Sequence, residues 1–188
     1  MKRSTTHTIF ICGISGVGKT KLIESVIDRF PSAVTWRASE IIGQARKVTD
    51  SETLRKLAPG EIQQSQELLL QGFLARRGAL PDALVLLDAH SVIDTESGFI
   101  DIPVRVIAGL APSGIIHVSD DVARISERRL ADPSRVRPER SLGQLAEYQQ
   151  RSIALCERYS AALDLPLVEV RSGDWEAFAE TIRDLSTS

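Results

Sequence analysis

The sequence predicts a three-layer α/β fold: one five-stranded parallel sheet with helices on both faces. Three observations carry this. Five short runs are almost continuously apolar, at residues 8–12 (TIFIC), 33–37 (AVTWR), 83–88 (ALVLLD), 114–118 (GIIHV) and 166–170 (PLVEV). Helical patterns separate them, and strands that stay apolar on both sides belong to parallel sheets covered on both faces. The first run also leads straight into a glycine-rich turn and then a helix.

The elements follow in order. After the glycine-rich turn, Leu22, Ile23, Val26, Ile27 and Phe30 recur at helical spacing until Pro31 stops them. The second strand leads into a helical stretch around 39–47. Beyond Pro59-Gly60 a long amphipathic segment places Ile62, Leu68, Leu69, Leu70, Phe73 and Leu74 on or near one face, and Gly78 is expected to end it. The third strand is followed by residues 91–103 (SVIDTESGFIDIP), where a Ser-Gly turn between extended pieces predicts a loop or small hairpin. Helices are expected at 120–131, 142–163 and 174–185. Between the first two, residues 131–141 (ADPSRVRPERS) hold two prolines and three arginines and read as an exposed excursion.

Nothing in the chain suggests a second domain. Its 188 residues fit one domain spanning 1–188, and no repeat, low-complexity tract or linker interrupts them. With 43% hydrophobic and 26% charged residues the composition is that of a globular protein. The balance of 23 basic against 25 acidic residues argues against a nucleic-acid or membrane-surface binder. Cys12 and Cys156 make no disulfide framework and no metal spacing, so they read as buried thiols in a reducing compartment. The start, MKRSTTHTIFICG, has an apolar stretch too short for a secretory signal. No run is long and apolar enough to span a bilayer. The expectation is a cytoplasmic protein with no membrane and no nucleic-acid partner.

Gly13-Ile14-Ser15-Gly16-Val17-Gly18-Lys19-Thr20 fits G-x-x-x-x-G-K-[ST] between a strand and a helix. The glycines let the backbone curl so that the N–H groups of Gly13, Ser15, Gly16, Val17 and Gly18 surround phosphate oxygens. The following helix adds its positive end. Lys19 supplies charge to the β- and γ-phosphates, and Thr20 offers a hydroxyl to Mg²⁺. A nucleoside triphosphate with Mg²⁺ is the expected ligand. Asp88 closes the third apolar run, where an acid orients Mg²⁺ directly or through water; capping the next turn is the other reading. His90 is open between a structural and a functional role, whereas His7 and His117 have no constellation and read as structural. Arg128, Arg129, Arg135, Arg137 and Arg140 crowd into residues 128–140. Guanidinium forks match the oxygens of a transferring phosphoryl group, and an arginine-bearing lid over phosphates excludes water. Glu127, Asp132 and Glu139 dilute the charge and weaken a nucleic-acid reading.

Together these motifs resemble the nucleoside monophosphate kinases, most closely the archaeal-type adenylate kinases. The likeness runs through most of the chain. It includes the phosphate loop, Arg55-Lys56-Leu57-Ala58-Pro59 (like R-K-L-x-P), Gln66, and Asp88-Ala89-His90-Ser91 (like D-T-H-S). It continues through Gly98-Phe99, Pro103, Arg128-Arg129-Leu130 and the pair Arg135-x-Arg137. The resemblance implies a P-loop kinase fold with sheet order 2-3-1-4-5, an acceptor-binding region at about 36–80 and a lid at about 128–141. It implies ATP at the phosphate loop, with Arg171-Ser172-Gly173 along its adenine. Lys19, Arg128, Arg135 and Arg137 would act on the transferring phosphates. Arg55 would grip the acceptor phosphate, and Ser39, Gln66, Asp88 and His90 would belong to the acceptor site. Some of those enzymes are trimers, so a homo-oligomer is compatible with the resemblance. The chain departs from the pattern at Trp36-Arg37-Ala38-Ser39, where the family has an aromatic residue, glycine and Ser or Thr. It departs again at Gly60, Gln63 and Gln64, where the family carries charges. The expected activity is transfer from ATP-Mg²⁺ to a nucleoside monophosphate, AMP first. The alternatives are a same-fold kinase of a nucleoside or metabolite hydroxyl, with Asp88 or His90 as base, and a regulatory NTPase switch.

Overall fold

In the computed structural model, which describes residues 7–47, 59–132 and 137–187, five strands form one parallel sheet. They are β1 (Thr8–Cys12), β2 (Ala33–Arg37), β3 (Leu84–Asp88), β6 (Gly114–Ser119) and β7 (Leu167–Arg171). Their order is β2-β3-β1-β6-β7. The remaining strands, β4 (Val92–Thr95) and β5 (Gly98–Asp101), form the hairpin foreseen after the third strand. Counting only the strands of the main sheet, the order is 2-3-1-4-5, as the resemblance implied.

The apolar runs are explained by position. β1 lies at the centre and all five of its residues are buried. β3 and β6 flank it and are almost as enclosed, whereas the edge strands β2 and β7 are only partly covered. Two helical layers supply the cover. On one side α1 (Lys19–Val26) packs against α7 (Trp175–Thr187), which also meets β1 and β7. In the other layer α6 (Leu142–Leu163) lies on β6 and on the hairpin, against α4 (Val104–Leu110) and α5 (Val122–Leu130). Outside these, α2 (Ala38–Arg46) packs on α3 (Pro59–Ala79), and α3 on α4. α6 starts where expected because Ser141 and Gln144 form a reciprocal capping box. It ends at Asp164, which adopts a left-handed conformation. No helix among the described residues is long and apolar enough to cross a membrane.

Several polar groups of the core find partners. The Tyr148 hydroxyl donates to Val92 O, and that of Tyr159 donates to Ile102 O. Cys12 and Cys156 are free thiols, fully buried, with their sulfurs 2.9 Å apart. Burial pushes the Cys12 thiol well up, which keeps it an inert core group. His117 sits inside β6 with Nε2 at 3.1 Å from Ser152 Oγ, which in turn lies 2.8 Å from Ser91 Oγ. This is the structural role expected of it.

Burial first, and the Lys19 charge second, push His117 down from 6.5 to about 4. It is therefore neutral at pH 7, and the 3.9 Å approach of Glu169 is not an ion pair there. In the unfolded chain the imidazole takes up its proton near pH 6.5, while in the native state it resists until about 4. Stability is thus expected to fall as pH drops through that window, by about 3 kcal/mol from this group. Chemical denaturation at pH 7 and pH 4.5 should show a smaller loss for His117→Asn than for the parent. Equal losses would contradict a buried neutral imidazole.

Candidate active site

The site grows out of the end of β1. Parallel pairing sets Ile11 beside Asp88 and Cys12 beside His117, so the carboxyl ends of three central strands open on the same edge. The phosphate loop turns there. Gly16 and Gly18 hold φ of +91° and +108°, a left-handed region that suits glycine. Space requires them too: a Cβ on Gly16 would come 2.6 Å from Arg129 Cγ, and one on Gly18 the same distance from Ser172 Oγ. α1 then begins at Lys19 with no side chain capping it, leaving its first N–H groups to face the loop.

Lys19 is buried and donates to Gly13 O at 2.8 Å, with Nζ 3.9 Å from Asp88 Oδ1. Thr20 Oγ1 donates to Asp88 Oδ2 at 3.1 Å. A hydroxyl and a carboxylate at this spacing, both hard oxygen donors, fit a Mg²⁺ held with the phosphates beside them. His90 Nδ1 lies 2.9 Å from the same Gly13 carbonyl and 3.5 Å from Lys19 Nζ. As the donor to that oxygen, Nδ1 ties His90 to the loop.

A cavity of about 550 Å³ adjoins the loop. Ser15, Gly16, Gly18, Lys19, Thr20, Asp88 and His90 line one part of it; Ser39 and Gln66 reach it from α2 and α3. Ile42, Ile62, Leu69, Val106, Ile107 and Leu110 also line it, giving an aliphatic wall. Its size suits a small organic ligand beside the phosphates. Gln66 is buried, and its Oε1 has no hydrogen-bond partner among the described residues. Gly13 and Val17 are buried and do not line the cavity.

The arginines converge on the loop from α5 and from the stretch before α6. Arg128 donates to Val17 O at 2.8 Å and to Asp120 Oδ2. Arg137 reaches Ser15 Oγ at 3.2 Å and is held by Asp132 at 2.6 Å. Arg129 packs against Gly16 and donates to Asp94 at 2.9 Å. Arg55 and Arg135 lie outside the described residues. Arg171 and Gly173 do not line the cavity: they are exposed at the end of β7, beside Ser172, which faces Gly18.

Of the carboxylates that hold these arginines, Asp132 shows in the sequence only as diluting their charge, and Asp120 and Asp94 are not singled out there. Asp120 had a visible signal, since it follows the apolar run GIIHV just as Asp88 ends ALVLLD. Asp94 had none, being one polar residue in a four-residue strand.

The chain is similar to known proteins. A family model described as an AAA domain, AAA_17, matches residues 12–146. Adenylate kinase from Methanoculleus marisnigri is 28% identical over 161 residues, covering 81% of this chain and 82% of that protein. Adenylate kinase from Thermoplasma acidophilum is 28% identical over 154 residues, covering 80% and 81%. Among solved structures, shikimate kinase from Acinetobacter baumannii in complex with shikimate matches at TM-score 0.67 and 16% identity, over 98% of this chain and 94% of that one. At that identity the likeness is one of fold. The resemblance to archaeal adenylate kinases read from the motifs therefore extends through most of the chain.

Lys19 is the charge most enclosed by the loop, and its removal tests the site directly. Lys19→Ala is expected to weaken binding of ATP-Mg²⁺ about 10- to 100-fold, the worth of a charge-assisted contact to phosphate. Calorimetric titration measures this, with circular dichroism expected to be unchanged. Parent-like affinity would remove Lys19 from the phosphate site.

Proposed function

The chain belongs to the AAA-domain family whose model covers its residues 12–146, and from that membership we propose that it transfers the γ-phosphoryl group of ATP to a nucleoside monophosphate, AMP first. At the coarser level it is a nucleotide-dependent P-loop kinase acting on a small substrate. The observation that carries the finer reading is the convergence of Lys19, Arg128 and Arg137 on a loop that shares one wall with a 550 Å³ cavity. A triphosphate at the loop and an acceptor in the cavity would meet under those cations.

The residues divide the work by charge. The loop amides and the first turn of α1 bind the phosphates. Lys19, Arg128 and Arg137 orient them and stabilise the charge that spreads over the phosphoryl oxygens. Thr20 and Asp88 are the pair that would hold Mg²⁺, which when bound neutralises phosphate charge. A phosphate acceptor is already ionised, so no general base is needed. This agrees with the state of the two base candidates: Asp88 is bonded to Thr20, and His90 Nδ1 meets the Gly13 carbonyl. The aliphatic wall suits the face of a base. The unpartnered Gln66 Oε1 supports an acceptor that presents an N–H donor, as the exocyclic amine of adenine does.

A panel of nucleoside monophosphates, their deoxy forms and free nucleosides, each incubated with ATP-Mg²⁺ and resolved by chromatography, tests the reading. The expected product is a diphosphate, formed from AMP faster than from IMP, which lacks the amine. Gln66→Leu is expected to narrow that preference. Arg137→Ala is expected to lower kcat about 100- to 1000-fold, the scale for a group that stabilises transition-state charge. Phosphorylation of a nucleoside and of no monophosphate would replace this proposal with a hydroxyl kinase. ADP release at a rate indifferent to every acceptor would replace it with a switch.

A further inference from the structure

A single carboxylate on the β4–β5 hairpin holds both arms of the arginine-bearing segment. Asp94 lies in β4 opposite Phe99 of β5, with its side chain 5% exposed. Its Oδ2 accepts from Arg129 Nη2 at 2.9 Å, and its Oδ1 accepts from Arg140 Nε at 3.1 Å. Arg129 belongs to the last turn of α5, and Arg140 immediately precedes the Ser141 cap of α6. One buried carboxylate thus meets two largely buried guanidiniums that stand on opposite sides of residues 130–139.

The contacts around Asp94 fix it in place. Arg140 also donates to Thr95 O at 2.7 Å and lies over the Phe99 ring at 5.3 Å. Phe99 is stacked on Tyr148 of α6 with ring centres 4.8 Å apart. From Asp94 the connections run toward the phosphates. Arg129 donates to Pro138 O at 2.9 Å, and its own carbonyl accepts from Arg137 Nη1 at 3.4 Å. Arg137 then reaches Ser15 in the loop. Arg129 fills the space beside Gly16 that a side chain there would occupy.

We propose that Asp94 is a positioning residue for phosphoryl transfer: by holding Arg129 and Arg140 together it sets where Arg137 stands over the phosphate loop. Asp94 borders the cavity, but the contacts of both its oxygens are to arginines, so it acts through them. The charge matters as well as the shape. An ionised carboxylate accepts on both oxygens, whereas an amide of the same size would turn N–H donors toward one of the two guanidiniums. The kinetic part of the proposal rests on the phosphotransferase reading; the structural part does not.

The test uses the full chain as Asp94→Asn, Arg140→Gln, the double variant, and Asp94→Glu. Hydrogen exchange without nucleotide should speed up about tenfold or more in peptides covering 127–132 and 137–142 of Asp94→Asn, and stay unchanged in β1 and β3. For the same variant kcat should fall about 10- to 100-fold, the cost of a displaced catalytic group, with KM for the acceptor little altered. The double variant should lose less than the sum of the two single losses, because both remove the Asp94–Arg140 tie. Asp94→Glu should recover most of kcat. Should Asp94→Asn fail to fold, Arg140→Gln, which keeps the Asp94–Arg129 pair, must show the same pattern in reduced degree. Parent-like exchange in both arms, or additive losses in the double variant, would overturn the proposal. So would a lowered melting temperature with parent-like kcat per folded molecule. A parent enzyme that makes no diphosphate would refute the functional reading and leave the exchange comparison to decide the anchor.

Discussion

Keeping a lysine ammonium charged inside a protein requires oxygen on several sides, and that requirement organises this molecule. Lys19 is 6% exposed and is placed against the Gly13 carbonyl with the Asp88 carboxylate nearby. The Asp88 oxygen is in reach because β1 pairs with β3, so the loop after β1 opens beside the last residue of β3. The same Gly13 carbonyl meets His90, and the same Asp88 meets Thr20. Strand order, loop curvature and the charge at the phosphate site are therefore one constraint. A sheet in which β1 did not pair with β3 could not satisfy it.

The second layer of organisation is the pairing of each described arginine at the loop with a carboxylate. Arg128 has Asp120, Arg137 has Asp132, and Arg129 and Arg140 share Asp94. Such pairs hold guanidiniums in a fixed direction while leaving further donors for phosphate oxygens, five per arginine in all. Fixed direction is what charge stabilisation needs, since dipoles and cations already in place pay no reorganisation when the phosphoryl group moves. It also explains a nearly neutral chain with an arginine-rich loop region: the acids are present, and they are used to aim the bases.

How much of this was legible beforehand differs by kind of contact. The strands could be read because central parallel strands are enclosed on both faces, which forces unbroken apolar runs such as LVLL at 84–87. The span of α6 was legible because its helical pattern is local, running over 142–163. Lys19, Thr20 and Asp88 were legible because loop motif and strand-ending acid imply each other. The arginine partners were not. Asp94 meets residues 35 and 46 positions away, and no local pattern records which acid a guanidinium finds across that distance. Arg171 and Gly173, assigned by resemblance to the adenine, stand at the exposed end of β7 outside the cavity. Arg55 and Arg135 fall outside the described residues, so their roles remain those the resemblance implies.

The activity proposed for this chain is transfer rather than hydrolysis. Phosphorus NMR of the protein with ATP, AMP and Mg²⁺ follows every phosphate in one sample. Transfer predicts that the ATP and AMP signals fall together while ADP grows at twice their rate of loss, with no inorganic phosphate. Inorganic phosphate appearing while AMP stays unchanged would contradict it.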